Sequence, residues 1–281
     1  MKQEIFISKK KINEDSPFII AEAGVNHNGS LSIAKKLIRK AKIAGADAIK
    51  FQTFKTEKII LPKAPKSNYH IETTGSDKSQ SWFDLLKSQE LNEKMHIELK
   101  KYCNEQKIIF LSTPYDFESV DLLEKIKIPA YKIASTDNVN YPLLKYIAKK
   151  NKPVILSTGM NNMKKVEETY NFLKKYNSEI IILQCTANYP IKLNDVNLNV
   201  MDTYKKRFKC FVGFSDHTIG NFSSTIAAAM GASIIEKHFT LDKKMAGPDH
   251  RMSATPKEFK MMIETIKLIQ KIKGSFEKKI L

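Results

Sequence analysis

A short apolar run rich in β-branched residues, followed by a longer stretch with apolar residues at i, i+3 and i+4, recurs along this 281-residue chain. The first pattern marks a strand and the second an amphipathic helix. The strand-like runs fall at 18–22, 46–51, 108–112, 130–134, 153–157, 179–185, 210–214 and 233–239. The helical stretches fall at 30–44, 88–106, 116–126, 140–150, 162–177, 197–207, 219–231 and 255–272. Continuous apolar strands are buried on both faces, as in a parallel sheet covered by helices. Eight such β-α units predict an α/β fold, a closed (β/α)8 TIM barrel. A doubly wound open sheet usually has roughly five or six strands and opens on a Gly-rich turn. No GxGxxG follows the first run here.

Two segments fall outside the repeat. Residues 3–12 read as a short strand or hairpin plugging the barrel bottom. The expected organisation is therefore an extension at 1–15, the barrel at 16–275 and a truncated tail at 276–281. Residues 55–84 carry Pro62, Pro65 and Gly75 and form a long connection after the second run. Long connections at a barrel top commonly serve as lids or substrate walls.

The formal charge of +17 raises the question of nucleic acid. Its distribution argues against that class. Arginine occurs only at Arg39, Arg207 and Arg251, and the lysines sit on polar helix faces, as in Lys35-Lys36, Lys100-Lys101 and Lys174-Lys175. Readers of base edges and phosphates favour the planar Arg fork. A lysine-rich solvated surface is expected instead, with a field that draws in anionic substrates. No apolar run reaches the ~18–20 residues of a membrane span, and the N-terminus lacks a signal-peptide core. Cys103, Cys185 and Cys210 form no CxxC, which fits reduced thiols. A cytoplasmic protein with neither membrane nor nucleic-acid partner is expected.

Every strand-like run ends in polar groups, and in a closed barrel those ends converge on one mouth, where barrel active sites lie. Lys50 and Lys132 sit inside otherwise apolar runs. A lysine there costs several kcal/mol unless an anion compensates it. That anion is either an internal carboxylate, Glu22 or Glu236, or a bound phosphate or carboxylate helped by the hydroxyls of Thr113, Ser135 and Ser157. A Schiff-base lysine is a third option. His217 and His238 end neighbouring runs; they are either structural or share a divalent metal. Asp216 and Glu236 are candidates to orient them. Glu236 and Lys237 point to opposite sides of the barrel wall. Glu22 reads as an acid/base group, a hydroxyl binder or a partner of Lys50. Asn26 and Asn28 sit in a tight turn before a helix, and turn and cap chemistry explains at least one of them. Asp249, in a Gly-Pro-Asp turn after the last run, faces the same mouth.

The run ends resemble the sialic acid synthase family, whose members make N-acetylneuraminate, legionaminate and pseudaminate. The matching segments are IAEAGVNHNG (20–29), AIKFQTFK (48–55), FLSTP (110–114), YKIAS (131–135), LSTGM (156–160), QCTANYP (184–190), VGFSDHT (212–218), EKHFTLD (236–242) and GPDH (247–250). The resemblance implies condensation of phosphoenolpyruvate with an N-acyl amino-hexose aldehyde, either N-acetylmannosamine or a 2,4-diacetamido-6-deoxy sugar. C3 of phosphoenolpyruvate bonds to the aldehyde carbon, water adds at C2, and phosphate leaves by C–O cleavage. A Mn2+ or Mg2+ ion polarises the aldehyde oxygen.

By the same resemblance, His217 and His238 hold the metal and count as catalytic with Glu22, the group for proton transfer or water activation. Lys50, Gln52, Thr113, Lys132, Ser135, Ser157 and Ser215 bind phosphoenolpyruvate. Glu22, Asp137, Tyr189 and Asp249 bind the sugar. A homodimer is implied.

Three departures qualify the match. Thr136-Asp137 stands where the family has Gly-Glu, which bears on sugar identity. Ala187 stands where an Asn often follows the Cys-Thr pair. The family's C-terminal antifreeze-like domain, which lends an arginine to the partner's site, has no counterpart before Leu281. The alternative expectation is therefore a truncated, weakly active or inactive barrel that only binds phosphoenolpyruvate and metal.

Overall fold

A computed structural model describes residues 4–74, 80–188, 191–275 and 277. The chain opens with a small antiparallel hairpin of β1 (Phe6–Ile7) and β2 (Lys10–Lys11). Eight parallel strands follow: β3 (Phe18–Gly24), β4 (Ala48–Thr53), β5 (Ile109–Pro114), β6 (Tyr131–Ile133), β7 (Val154–Ser157), β8 (Ile180–Gln184), β9 (Phe211–Asp216) and β10 (Ile234–His238). Their order is β5-β4-β3-β10-β9-β8-β7-β6. β6 lies against β5 and brings the circle round, although no ladder joins these two among the described residues. The expected barrel is present, with all eight strand positions overlapping those read from the sequence.

The helices form the outer layer. α1 (Leu31–Ala44) follows β3; α2 (Thr56–Ile59), α3 (Asn68–Thr74), α4 (Trp82–Gln89) and α5 (Glu93–Glu105) follow β4. Then come α6 (Phe117–Lys125), α7 (Tyr141–Ala148), α8 (Met163–Lys174), α9 (Val200–Phe208), α10 (Phe222–Ala229) and α11 (Pro256–Lys273). The single helix expected at 88–106 is two helices. Asn92 accepts from the Met95 amide and starts α5, while Glu90 turns aside to accept from the amide and hydroxyl of Thr56. The connection expected at 55–84 is partly helical, because Ser81 and Asp84 form a reciprocal capping box that starts α4. The tail at 276–281 lies, apart from residue 277, outside the described residues.

The period-two alternation of the strands positions the chemistry. One side-chain parity fills the outer core against the helices, as with Ile49, Phe51, Leu156 and Ile182. The other parity fills the barrel interior. Its lower layer is apolar, with Phe18, Ile20, Ala48, Ile155, Ile181 and Ile234, and the hairpin's Ile5 and Ile7 pack beneath it. Two residues further along four of these strands the same parity turns polar: Ile20 leads to Glu22, Ala48 to Lys50, Ile155 to Ser157, and Ile234 to Glu236. The interior is thus a dry plug below and a polar floor above.

Candidate active site

The polar floor surrounds a cavity of about 320 Å³ at the C-terminal end of the barrel. Glu22, Lys50, Gln52, Thr113, Lys132, Ser135, Ser157, Ser215, His217, His238 and Asp249 all line it. The structure therefore brings together eleven of the thirteen residues that the resemblance assigns to the site. Asp137 lies just outside, in the 3-10 turn Ser135–Val139 after β6, and lines an adjoining lobe. Tyr189 lies outside the described residues.

At the floor, Lys50 Nζ lies 2.7 Å from Glu22 Oε2 and 3.8 Å from Glu236 Oε2. It also donates to Thr113 Oγ1 at 2.9 Å. Lys132 Nζ lies 3.3 Å from Glu236 Oε1, which also accepts from Ser215 Oγ at 3.0 Å. All four charged groups are buried. Burial alone would lower the Lys50 pKa, but Glu22 and Glu236 outweigh it and hold the ammonium above its ordinary value. Burial would raise Glu236, but Lys132 and Lys50 hold it below the usual carboxylate range. For Glu22 burial wins over the pull of Lys50, and its carboxyl is pushed up to about 7. Burial also lowers Lys132, which Glu236 only partly offsets. The internal ion pairs expected as one option for the lysines are thus present. Ser157 Oγ and Glu236 Oε2 are buried without a hydrogen-bond partner among the described residues.

On the facing wall, the His217 and His238 rings lie 5.5 Å apart between centroids. His217 Nδ1 donates to the Thr186 carbonyl at 2.9 Å. Burial would lower the His217 pKa, but Cys185, 3.8 Å from Nδ1, reverses the direction. Burial, with His217 and Lys50 adding to it, keeps His238 well below its ordinary pKa and neutral. Asp249 Oδ2 lies 3.8 Å from His238 Nδ1, and burial pushes its carboxyl up to about 6 against the pull of His217 and Lys50.

This donor set suits a divalent ion. Two imidazoles on adjacent strands face one cavity, one of them oriented by a backbone carbonyl. No group of three or more His, Cys, Asp or Glu residues that could hold a metal occurs among the described residues. An ion held by these two imidazoles would keep coordination positions for water and substrate.

Two expectations are corrected. Asp216 does not orient the histidines: its carboxylate accepts from Lys237, Ser224 and Thr218 on the helix side of the wall. It shares the parity of Phe214, which faces the outer core. Glu236 serves the lysines rather than standing behind the metal pair. Turn chemistry explains one of the two asparagines, as expected, while the cap of α1 is Ser30. Asn28 is a turn residue with φ 49°, and Asn26 ties the first loop to the last by donating to Phe239 O and Ser253 Oγ.

Several cavity residues escaped the sequence reading. Tyr69, His70, Trp82 and Leu86 come from the 55–84 connection and its extension into α4. His70 stacks on Trp82 with 4.0 Å between ring centroids. Tyr115, just after β5, and Cys185 complete the wall. Ala187, one of the departures from the family pattern, lines the cavity, and Asn188 is exposed. Gly159 is needed here: an added Cβ would lie 2.8 Å from the Ala187 amide and 2.9 Å from Cys185 Sγ. Its amide donates to Ser135 Oγ at 2.7 Å and fixes that hydroxyl at the rim.

Comparison with known proteins gives a consistent result. Residues 37–278 match the model of the NeuB family. The chain is 50% identical over 264 residues to the N,N'-diacetyllegionaminic acid synthase of Campylobacter jejuni, covering 93% of this chain and 78% of that protein. It is 41% identical to the enzyme of the same name from Legionella pneumophila, over 97% and 79% of the two chains. Among solved structures, the N-acetylneuraminic acid (sialic acid) synthetase of Leptospira borgpetersenii superposes with a TM-score of 0.89 at 35% identity, covering 100% of this chain and 93% of that one.

Proposed function

The chain belongs to the NeuB family, and from that membership we propose that it joins phosphoenolpyruvate to the open-chain aldehyde of an N-acyl amino-hexose, giving a nine-carbon sialic-type acid and phosphate. The observation that carries this proposal is the floor of Lys50 and Lys132, buried beside Glu22 and Glu236. Two cations and two carboxylates balance only while all four stay charged. A polyanion entering the cavity supplies new partners for both lysines.

Phosphoenolpyruvate has two anionic ends, and two buried lysines with hydroxyls around them suit it. Ser157 Oγ and Ser135 Oγ add hydrogen-bonding groups at the rim, and Thr113 steadies Lys50. With the enol held there, C3 attacks the aldehyde carbon, and positive charge develops at C2. Water adds at C2 and gives a proton to Glu22, whose pKa of about 7 suits a base at neutral pH. The C2 hydroxyl then gives up its proton to the departing phosphate as the C–O bond breaks and the keto group forms, and the proton held by Glu22 is passed on to the aldehyde oxygen, now the new hydroxyl. A manganese or magnesium ion held by His217 and His238 would supply Lewis acidity at the aldehyde oxygen. Asp249, beside His238, accepts from the sugar. We include a homodimer and a cytoplasmic location in this proposal; among the described residues no helix is long and apolar enough to cross a membrane.

A crystal structure soaked with manganese and phosphoenolpyruvate tests the assignment. Expected are an anomalous peak between His217 and His238 and phosphoenolpyruvate on Lys50 and Lys132. Density for either ligand elsewhere in the mouth, with these residues bare, would overturn it.

A further inference from the structure

Two asparagines beyond the end of β3 take no part in the condensation chemistry, and both reach across to the segment that follows β10. That segment, residues 239–254, brings Asp249 to the cavity, 3.8 Å from His238 Nδ1. The ladder between β3 and β10 ends at the pair Glu22 and His238. Past Phe239, whose amide donates to the Glu22 carbonyl, the two loops are joined through side chains among the described residues.

Asn26 works on one side of Asp249. Its amide donates to Phe239 O at 3.0 Å and to Ser253 Oγ at 2.9 Å. That hydroxyl donates in turn to the Asp249 carbonyl at 2.6 Å.

Asn28 works on the other side. Its amide donates to Ala246 O at 2.9 Å, which leaves its oxygen facing His250 Nε2 at 3.3 Å. An amide oxygen only accepts, so Nε2 carries the imidazole proton. Burial pushes the His250 pKa down to about 4, so the ring is neutral and Nδ1 accepts from Thr240 Oγ1 at 2.6 Å. Gly247 makes room for this ring: an added Cβ there would stand 2.5 Å from His250 Cδ2. A directed chain of hydrogen bonds thus runs from Thr240 through His250 and Asn28 to Ala246, around the residue next to Asp249.

We infer that Asn28 and His250 are positioning residues for the reaction. Neither lines the cavity. They hold the segment after β10 so that Asp249 meets the sugar, and they affect the sugar only through Asp249. The inference rests on the reading of Asp249 as a sugar contact.

Two variants test it. Asn28→Gly removes the side chain and suits the backbone, because glycine adopts φ 49° without strain. His250→Phe keeps the bulk of the ring and removes both nitrogens. Phosphate release is measured with N-acetylmannosamine and with 2,4-diacetamido-2,4,6-trideoxymannose, in the wild type and in an Asp249→Ala background. Each change should raise KM for the sugar by about three- to thirtyfold, the range for groups coupled in one network. KM for phosphoenolpyruvate and Mn2+ binding should stay as they are. In the Asp249→Ala background neither change should add a further loss. Hydrogen exchange of the amides at 244–250 should quicken in both variants, with β3 and β10 unaltered.

Equal losses with and without Asp249, or KM for phosphoenolpyruvate rising in step with KM for the sugar, would overturn the positioning role and leave the condensation reading standing. No release from the wild type with either sugar would overturn the condensation reading and the role towards the sugar with it. The exchange rates would then still decide whether Asn28 and His250 hold the loop.

Discussion

Lys50 and Glu22 face each other across adjacent parallel strands, in register and 2.7 Å apart, inside a barrel floor that water barely reaches. Each holds the other's charge in place, so changing one alters the chemistry of both. Removing the Glu22 charge with Glu22→Gln should lower kcat by about 10²- to 10⁴-fold, the range for a general base. In the wild type the base is the ionised form, so kcat/KM should fall as pH drops below about 7. Stability has the opposite slope: the folded pKa exceeds the ordinary 4.5, so stability contributed by this group declines as pH rises through that window. Rate profiles and urea unfolding at several pH values measure the two slopes, and the glutamine variant should lose both.

Lys50→Met and Lys237→Met separate the functional lysine from a structural one. Each leaves a buried carboxylate behind, Glu22 in the first case and Asp216 in the second. Each should therefore destabilise by roughly 3–5 kcal/mol. Lys50→Met should also abolish phosphoenolpyruvate binding, whereas Lys237→Met, on the helix side of the wall, should keep it. Calorimetric titration of the folded fraction checks the difference. Equal binding losses would contradict the division.

Metal binding should depend on both histidines. His217→Ala and His238→Ala should each weaken Mn2+ binding at least about tenfold, read by titration with electron spin resonance. Asp216→Asn should leave it unchanged, because that carboxylate belongs to Lys237, Thr218 and Ser224.

His27 provides an acid-stability prediction away from the chemistry. It is fully buried, its Nδ1 accepts from the Gly29 amide at 3.0 Å, and burial pushes its pKa down to about 3. Below about 6.5 the unfolded chain takes up a proton that the fold refuses, so stability should fall as pH drops from 6.5 towards 3. His27→Gln should flatten that part of the profile, measured as unfolding midpoint against pH.

The barrel and most of its floor are legible in the sequence because both follow from period two. A strand that places Ile20 inside must place Glu22 inside as well, and the same step takes Ala48 to Lys50 and Ile234 to Glu236. Parity also contained the answer for Asp216, which stands between the inward-facing Ser215 and His217 and so points outward. Other features have no such local signal. Trp82, Tyr69 and Ile59 reach the mouth only because the segment after β4 folds back over it. The choice between internal ion pairs and a bound anion for Lys50 and Lys132 depends on where Glu236 lands, a contact across strands far apart in sequence.

The most direct measurement is phosphate release from phosphoenolpyruvate by the purified protein with Mn2+ and an N-acyl amino-hexose. Release that requires both metal and sugar, matched by formation of a nine-carbon acid and lost in Lys132→Met, is the predicted result. No release with any such sugar at saturating metal, from protein shown to be folded, would contradict the assignment.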